Sequence, residues 1–380
     1  MSRKGIMVWA VCLAALAGAA AAFGQKPVIA ADGGVAFPRV RLLAPPEGVY
    51  VAAFPGLGGS EDQVTAAKIT DFEKLVGRKV AWTYFSNNWY DGVKFPRKDV
   101  DAIYSTGSVP FIRLMARSRG ARGGGDPVYT MDGIISGKFD DALRRWARDA
   151  RDVERPLLAE FGTEVNGSWF PWNGQWHGGG KADGYGDPKV PDGPERFRDA
   201  YRHIIDICRA WGARNIVWFL HVDADRSPEE PWNTMAAYYP GDDYIDWIGI
   251  SVYGSQRRGR EWVTFVDKLD RAYDEFAKIS ATKPLAILEY GVVDDPKSGS
   301  KAEWMRQALD AVRNGRYPRI KAVSYWDEAW GEGDRRVDLR VNSSADALEA
   351  YRKAVADPFF VSKLEFTVVP GTPADSPSAR

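Results

Sequence analysis

The stretch RPLLAEFGTEVNGSWFPWNG, residues 155–174, joins a short apolar run to a loop with one carboxylate and three aromatic rings. The run, residues 155–162, does not alternate between polar and apolar side chains. Continuous apolar runs of this length are typical of strands that are covered on both faces of a parallel sheet. The sequence therefore predicts a buried strand that ends near Gly162, with a polar and aromatic loop directly after it.

Runs of the same kind recur along the chain and alternate with segments of helical spacing. Strands are predicted at residues 48–54, 79–85, 109–115, 155–162, 215–222, 244–254, 283–291 and 320–326, and helices at residues 63–75, 98–105, 139–153, 194–211, 262–279, 301–314 and 344–356. Eight strands with helices between them predict an α/β fold, a single-domain (β/α)8 TIM barrel. A doubly wound open sheet is the alternative, but the glycine-rich residues 54–60 lack the pattern of a phosphate-binding turn.

The composition excludes some partners and favours others. Lys and Arg together number 51, as do Asp and Glu, so no basic excess indicates binding to nucleic acid. The chain has 15 Trp and 16 Tyr among its 380 residues, more than a core of this size needs. Aromatic side chains in loops are suited to packing against the faces of sugars.

The two ends of the chain differ in composition from the rest. Residues 1–24 contain Arg3 and Lys4, an apolar run and small residues near position 20, which predicts a signal peptide rather than a membrane anchor. We therefore expect a secreted or periplasmic protein with no stable membrane insertion after cleavage, and a monomer. Residues 40–362 form the predicted catalytic domain. Residues 367–380 are rich in Pro and Ser and are predicted to be a disordered tail.

Two glutamates end predicted strands that lie apart in the barrel. Glu164 follows the fourth strand and Glu289 ends the seventh. Active sites of such barrels lie at the C-terminal ends of the strands, so both carboxylates are expected at one mouth. A retaining glycosidase needs two such groups, an acid/base and a nucleophile. Glu160 is a rival for the first role, but it is expected deeper in the barrel, where Arg113 is a candidate partner.

Five segments of the chain resemble glycoside hydrolase family 26: GTEVNGSWFPWNG, FRDAYRHIIDICRAWGARNIVWF, YYPGDDYIDWIGISVYG, KPLAILEYG and VNSSADALEAYRKAVADPFF. The resemblance extends over about residues 49–360 and implies a (β/α)8 barrel that cleaves β-linked glycans, chiefly β-mannan. It implies that Glu164 is the acid/base, that Glu289 is the nucleophile, and that Tyr253 donates a hydrogen bond to Glu289.

The resemblance also implies that aromatic residues line the substrate cleft. Trp169 matches the ring beside the cleaved sugar, Trp172 is expected to extend that wall, and Trp326 is expected in the floor of the subsite. The alternative for Trp169 and Trp172 is packing within the loop. His221 ends the fifth strand, where it is expected either to line the cleft or to be a hydrogen-bonded histidine at the edge of the core.

Two positions depart from the family pattern. Thr163 stands where the family usually has His, and Glu160 stands where it usually has Arg. Both positions are expected to shape the subsite of the cleaved sugar. The substitutions at these positions are therefore expected to leave the reaction type unchanged, but specificity for mannose does not follow from the resemblance.

The sequence thus predicts a secreted, retaining endo-β-glycanase that acts on a polysaccharide or oligosaccharide, with β-1,4-mannan or a related glycan as the expected substrate. No cofactor is expected, and three histidines without a His-x-x-x-His helix argue against a catalytic metal. The alternative is a glycan-binding protein of exopolysaccharide handling that has lost catalysis.

Overall fold

The computed structural model describes residues 28–29, 35–36, 38–120, 123–331, 333 and 336–369. The predicted signal peptide, residues 1–24, lies outside the described residues. Within them, no helix has both the length and the apolar character needed to cross a bilayer.

Eight parallel strands close into a barrel, as the sequence predicted. Their order in the sheet follows the chain, and the eighth strand pairs with the first, with Val323 opposite Val51 and Trp326 opposite Phe54. The strands are β1 (Val49–Phe54), β2 (Trp82–Asn88), β3 (Val109–Met115), β4 (Leu157–Phe161), β5 (Ile216–Asp223), β6 (Trp247–Tyr253), β7 (Leu285–Gly291) and β8 (Ile320–Trp326).

Helices cover the outside of the barrel. They are α1 (Ala66–Val76), α2 (Arg97–Ser105), α3 (Met131–Ile135), α4 (Asp140–Arg151), α5 (Asp192–Ala210), α6 (Phe265–Lys278), α7 (Lys301–Arg313) and α8 (Ala345–Val355). Between β5 and β6 the chain forms only a short 3-10 turn, Ala236–Tyr238. Several helices begin after a Ser or Thr whose hydroxyl accepts a backbone N–H of the first turn, as Thr264 does before α6 and Ser300 before α7.

Aromatic side chains fill the lower part of the barrel. The Trp82 ring lies 5.8 Å from Phe111, and Phe219 lies 4.7 Å from Phe111 and 5.8 Å from Trp247. Each of these four side chains is fully buried. The barrel is therefore closed from below by apolar packing, and polar groups further along the same strands face the C-terminal mouth.

The predicted disordered tail needs a correction at its start. Phe366–Val369 form a strand that pairs antiparallel with Arg39–Leu42, so that Val368 lies opposite Val40. The segment FTVV is rich in β-branched and aromatic residues, which favour a strand. The predicted tail included this segment because of the Pro and Ser residues that follow it. The ordered domain therefore extends beyond both ends of the predicted range 40–362. Residues 370–380 lie outside the described residues.

Candidate active site

The loop after β4 carries Glu164 in an uncommon backbone conformation. Gly162 has φ 71° and Glu164 has φ 48°, both in the left-handed region. A Cβ on Gly162 would lie 2.7 Å from the Phe197 ring, so both the backbone angle and the close packing require glycine there. A non-glycine residue such as Glu164 adopts positive φ at an energetic cost, which is a feature of functional sites.

The barrel brings Glu164 and Glu289 together. One carboxylate oxygen of each, with one ring nitrogen of His221, all lie within 4.8 Å of one another. Glu164 is 8% exposed and Glu289 is 4% exposed, so both carboxyl groups are nearly removed from water. Glu289 lies near the C-terminal end of β7, and His221 lies near that of β5. Barrels of this type carry their catalytic residues at the C-terminal ends of the strands.

Both oxygens of Glu289 face a positively polarised partner. The Tyr253 hydroxyl donates a hydrogen bond to Oε2 at 2.7 Å, and Nη2 of Arg113 lies 3.2 Å from Oε1. Burial raises the pKa of Glu289 to about 7; Arg113 opposes this rise and the nearby Glu164 adds to it. The carboxylate plane is thus fixed from two sides, and Glu289 exchanges its proton near neutral pH.

Glu164 has a different set of neighbours. The Trp169 indole, which is partly exposed, donates a hydrogen bond from Nε1 to Oε2 of Glu164 at 2.7 Å. Asp223 ends β5 close by, and burial, with a further contribution from Glu164, raises the pKa of Asp223 well above its ordinary value. Trp169 therefore holds one oxygen of Glu164 and leaves the other available for a proton.

A second layer of polar groups lies beneath the two glutamates. Glu160 is fully buried, accepts a hydrogen bond from the Tyr84 hydroxyl, and lies 3.5 Å from Nε of Arg113. Nδ1 of His221 lies 3.1 Å from Glu160 Oε2 and 2.8 Å from Thr163 Oγ1. The predicted deep position of Glu160 and its pairing with Arg113 are confirmed, and neither Glu160 nor Thr163 has a surface open to a sugar.

The interpretation of Trp172 as part of the substrate wall needs a correction. Trp172 is fully buried, stacks on Phe170 at 4.6 Å, and donates from Nε1 to the Thr163 carbonyl at 2.7 Å. It supports the loop that carries Glu164 from below. The position of Trp172 in the sequence did not reveal that it is buried. The indole packs against Gly162, where the absence of a side chain leaves room for the ring, and this contact exists only in the folded loop.

Trp326 lies in the same buried layer. It is 5% exposed, its ring stacks on Phe54 at 4.0 Å, and the Arg113 guanidinium lies 5.0 Å from the ring centroid. Its predicted contact with the sugar stays a prediction.

The sequence analysis missed several members of the buried layer. Ser251 on β6 lies 2.8 Å from Nε2 of His221, and Glu61, in the loop after β1, lies 2.7 Å from Arg113 Nη1. Tyr84 contacts both Glu160 and His221. The available signal was weak: Tyr84 and Ser251 are polar residues within apolar runs, Glu61 lies in a glycine-rich polar loop, and only the folded barrel brings them together.

The group Glu164, His221 and Glu289 also has the residue types that hold a divalent cation. Both ring nitrogens of His221, however, already have polar partners, Thr163 at Nδ1 and Ser251 at Nε2. A metal at this point would have to displace one of them. The expectation that no metal takes part in catalysis stays a prediction.

Comparisons with known proteins agree with this geometry. Residues 130–305 match the profile of Glycosyl hydrolase family 26. Endoglucanase H of Acetivibrio thermocellus is 30% identical over 312 residues, which are 81% of this chain and 30% of that protein. Over residues 130–305 the chain thus resembles glycosyl hydrolase family 26. The resemblance predicted from the sequence is thereby confirmed, and it supports the prediction of a glycoside hydrolase.

Other proteins that are similar to this chain are mannanases by name. A mannan endo-1,4-beta-mannosidase of Bacillus subtilis is 26% identical over 169 residues, 43% of this chain and 37% of that protein. The catalytic domain of an endo-beta-1,4-mannanase of Bacillus sp. JAMB-750 shares the fold, with a TM-score of 0.61 at 18% identity over 84% of this chain and 88% of that one. The chain spans less than half the length of these two curated relatives.

Proposed function

We propose that this chain is a member of family 26 and that it hydrolyses a β-linked polysaccharide at internal bonds with retention of anomeric configuration. The observation that carries the proposal is the short separation of Glu164 and Glu289, whose facing oxygens lie within 4.8 Å. Retaining glycosidases hold their two carboxyl groups about 5–5.5 Å apart, whereas inverting ones leave about 6.5–9.5 Å for a water.

The neighbours of each glutamate favour one assignment of the two roles. Glu289 has a guanidinium and a phenol at its oxygens, which stabilise a carboxylate, so it is the nucleophile. Glu164 has an indole N–H at Oε2 and is the acid/base, with Oε1 as the oxygen that transfers the proton.

The reaction then proceeds in two displacements. In the first, Glu289 forms a bond to the anomeric carbon while the glycosidic bond breaks and Glu164 gives its proton to the leaving oxygen. In the second, Glu164 takes a proton from a water molecule, which attacks the anomeric carbon and releases Glu289 as a carboxylate. Atoms and charge balance over the cycle, and one water is consumed.

The substrate is part of the proposal. The match to Endoglucanase H extends over 81% of this chain, whereas the match to the mannosidase of Bacillus subtilis extends over 43% of it. A β-glucan is therefore the first polymer to test, and β-1,4-mannan the second. Positions 160 and 163, which depart from the usual residues of the family, lie below the site and can alter its shape only through the residues above them.

We further propose that the chain is exported, because residues 1–24 have the pattern of a signal peptide. We also propose that it acts as a monomer. Cell fractionation with N-terminal sequencing of the mature protein tests export. Light scattering on the purified protein tests the oligomeric state.

The central experiment is a panel of barley glucan, mannan, glucomannan, xylan and the exopolysaccharide of the host, scored by new reducing ends. We expect cleavage of at least one polymer by the wild-type protein and none by Glu289→Ala. Glu164→Ala should lower turnover about 10²–10⁴-fold, the usual contribution of general acid–base catalysis. Glu303→Ala, at an exposed position of α7, is the control and should cleave like the wild type.

The panel also separates catalysis from mere glycan binding. Calorimetry with the oligosaccharide of the cleaved polymer should show that Glu289→Ala still binds. Undiminished turnover by Glu289→Ala would contradict the mechanism. Binding by the wild type without cleavage of any polymer would favour the glycan-binding alternative.

A further inference from the structure

His221 occupies the centre of the buried polar layer and has partners on every side. It is fully buried, and its Nε2 lies 2.8 Å from Ser251 Oγ. Its Nδ1 lies 2.9 Å from the Tyr84 hydroxyl, 2.8 Å from Thr163 Oγ1 and 3.1 Å from Glu160 Oε2. No proposed chemical step uses this histidine, yet it is within 4.8 Å of an oxygen of each catalytic glutamate.

The hydrogen-bond pattern fixes where His221 carries a proton. The Tyr84 hydroxyl has one proton and donates it to Glu160, so towards His221 it can only accept. Glu160, as a carboxylate, is also an acceptor. Nδ1 must therefore be a donor, and it faces three oxygens at once.

The charges around His221 favour the doubly protonated ring. Glu160, Glu164 and Glu289 are the carboxyl groups that face it from β4, the loop after β4, and β7. Arg113 on β3 is the cation nearest to Glu160 and Glu289, and it also pairs with Glu61. Asp223 lies two residues along the same strand, and burial raises its pKa well above its ordinary value. A single guanidinium among these carboxyl groups leaves an excess of negative charge, which an imidazolium reduces.

The direction of the pKa shifts agrees with this charge count. Burial by itself would lower the pKa of His221, but Glu160, together with Glu289 and Glu164, raises it above its ordinary value. Burial by itself would raise the pKa of Glu160, but His221 and Arg113 bring it below its ordinary value. Each partner of the pair thus favours the charged form of the other.

We propose that His221 is a positioning residue of the catalytic pair: held as an imidazolium by Glu160 and Thr163, it lies beneath Glu164 and Glu289 and favours the carboxylate form of Glu289. The two departures from the family pattern then have one common function, because Glu160 supplies the counter-charge and Thr163 supplies a hydroxyl to the same ring nitrogen. The role assigned to His221 rests on the proposed function, while its charge coupling to Glu289 does not.

A titration of the histidine rings tests the coupling without any substrate. We would follow the three histidines by NMR in the wild-type protein, Glu160→Gln and Glu289→Gln. The expected result is a lower pKa of His221 in both variants, with the larger drop in Glu160→Gln. His203, which lies 2.7 Å from Asp140 on the outside of the barrel, is the matched control, and its NMR signals should be the same in all three proteins. An unchanged pKa of His221 in Glu289→Gln would overturn the proposal.

Kinetics give the second readout on whichever polymer is cleaved. In His221→Gln, Glu289 loses a nearby positive charge, so the acidic limb of the kcat/KM profile should move to higher pH. Thr163→Val should move it in the same direction by a smaller amount, and His203→Gln should leave it in place. A parallel drop in activity at every pH would mean that His221 has only a structural role. Absence of wild-type cleavage would defeat the proposed function, while the NMR result would still decide the coupling.

Discussion

At the scale of single residues, the environment of each glutamate decides its role. Tyr253 and Arg113 contact the oxygens of Glu289, and Trp169 contacts Glu164. Because burial places the pKa of Glu289 at about 7, a carboxylate nucleophile becomes available as the pH rises through that value. We therefore expect the acidic limb of the kcat/KM profile near neutral pH.

Tyr253→Phe removes one hydrogen bond from the proposed nucleophile. That bond lowers the pKa of Glu289, so its loss should raise the pKa further and move the acidic limb to higher pH. A hydrogen bond to a charged group contributes about 1.5–3 kcal/mol, which corresponds to about a 10- to 100-fold lower kcat/KM. Tyr185→Phe is the matched control, because it also removes a tyrosine–carboxylate hydrogen bond, the one of 2.9 Å from its hydroxyl to Asp199 on α5. A profile that keeps its wild-type midpoint in Tyr253→Phe would refute this account of Glu289.

The two tryptophans of the β4 loop should respond differently to replacement by Phe. Trp172→Phe leaves the Thr163 carbonyl without its donor and opens space beneath the loop, so we expect a free energy of unfolding lower by about 1–3 kcal/mol. Trp169→Phe removes the donor to Glu164 at a partly exposed position, so it should lower kcat/KM with little change in stability. Urea unfolding and initial rates measured on both variants check this. Equal losses of stability would show that both rings serve packing alone.

The sequence identified the residues of this site unevenly. Glu164 and Glu289 stand at the ends of apolar runs, where a barrel places catalytic groups, so their position could be predicted. Trp172 lies in the same loop as Trp169, so the sequence suggested that both line the cleft. Only the packing against Gly162 reveals that Trp172 is buried. Tyr84 and Ser251 gave only a weak signal, because their contacts with His221 join strands far apart in the chain.

At the scale of elements, the passage from β4 into its loop determines where Glu164 lies. The chain turns through positive φ at Gly162 and again at Glu164 within three residues. Strand and helix bounds were largely predictable, because buried strands and amphipathic helices differ in hydrophobic period. The conformation of this turn was not, since it depends on Phe197 of α5 and on Trp172.

Gly162→Ala tests how closely that turn is packed. The new methyl group would meet the Phe197 ring at 2.7 Å in addition to the strain of φ 71°. Gly77→Ala is the matched control, because Gly77 also has φ 71° but has nothing within 4 Å of its added Cβ. We expect Gly162→Ala to lower the free energy of unfolding by about 1–3 kcal/mol more than Gly77→Ala, the usual cost of overpacking. Thermal unfolding of both variants measures the difference, and equal losses would contradict the packing argument.

At the scale of the whole molecule, closure of the barrel assembles the site. Tyr84, Arg113, Glu160, His221 and Glu289 come from five different strands and meet only because the eighth strand pairs with the first. The fold class could be predicted from the repeated strand and helix pattern. The pairing of Arg39–Leu42 with Phe366–Val369 could not, because it joins the two ends of the ordered chain across more than 300 residues.

The most direct test of the central claim is mass spectrometry of the protein after incubation with 2,4-dinitrophenyl 2-deoxy-2-fluoro-β-cellobioside. The fluorine slows both displacements, whereas the activated leaving group accelerates only the first, so a retaining enzyme accumulates its glycosyl intermediate. We expect a mass increase of one fluorocellobiosyl group on the peptide that contains Glu289, and none in Glu289→Ala. An adduct on another residue, or an unlabelled protein that cleaves β-glucan with inversion, would contradict it.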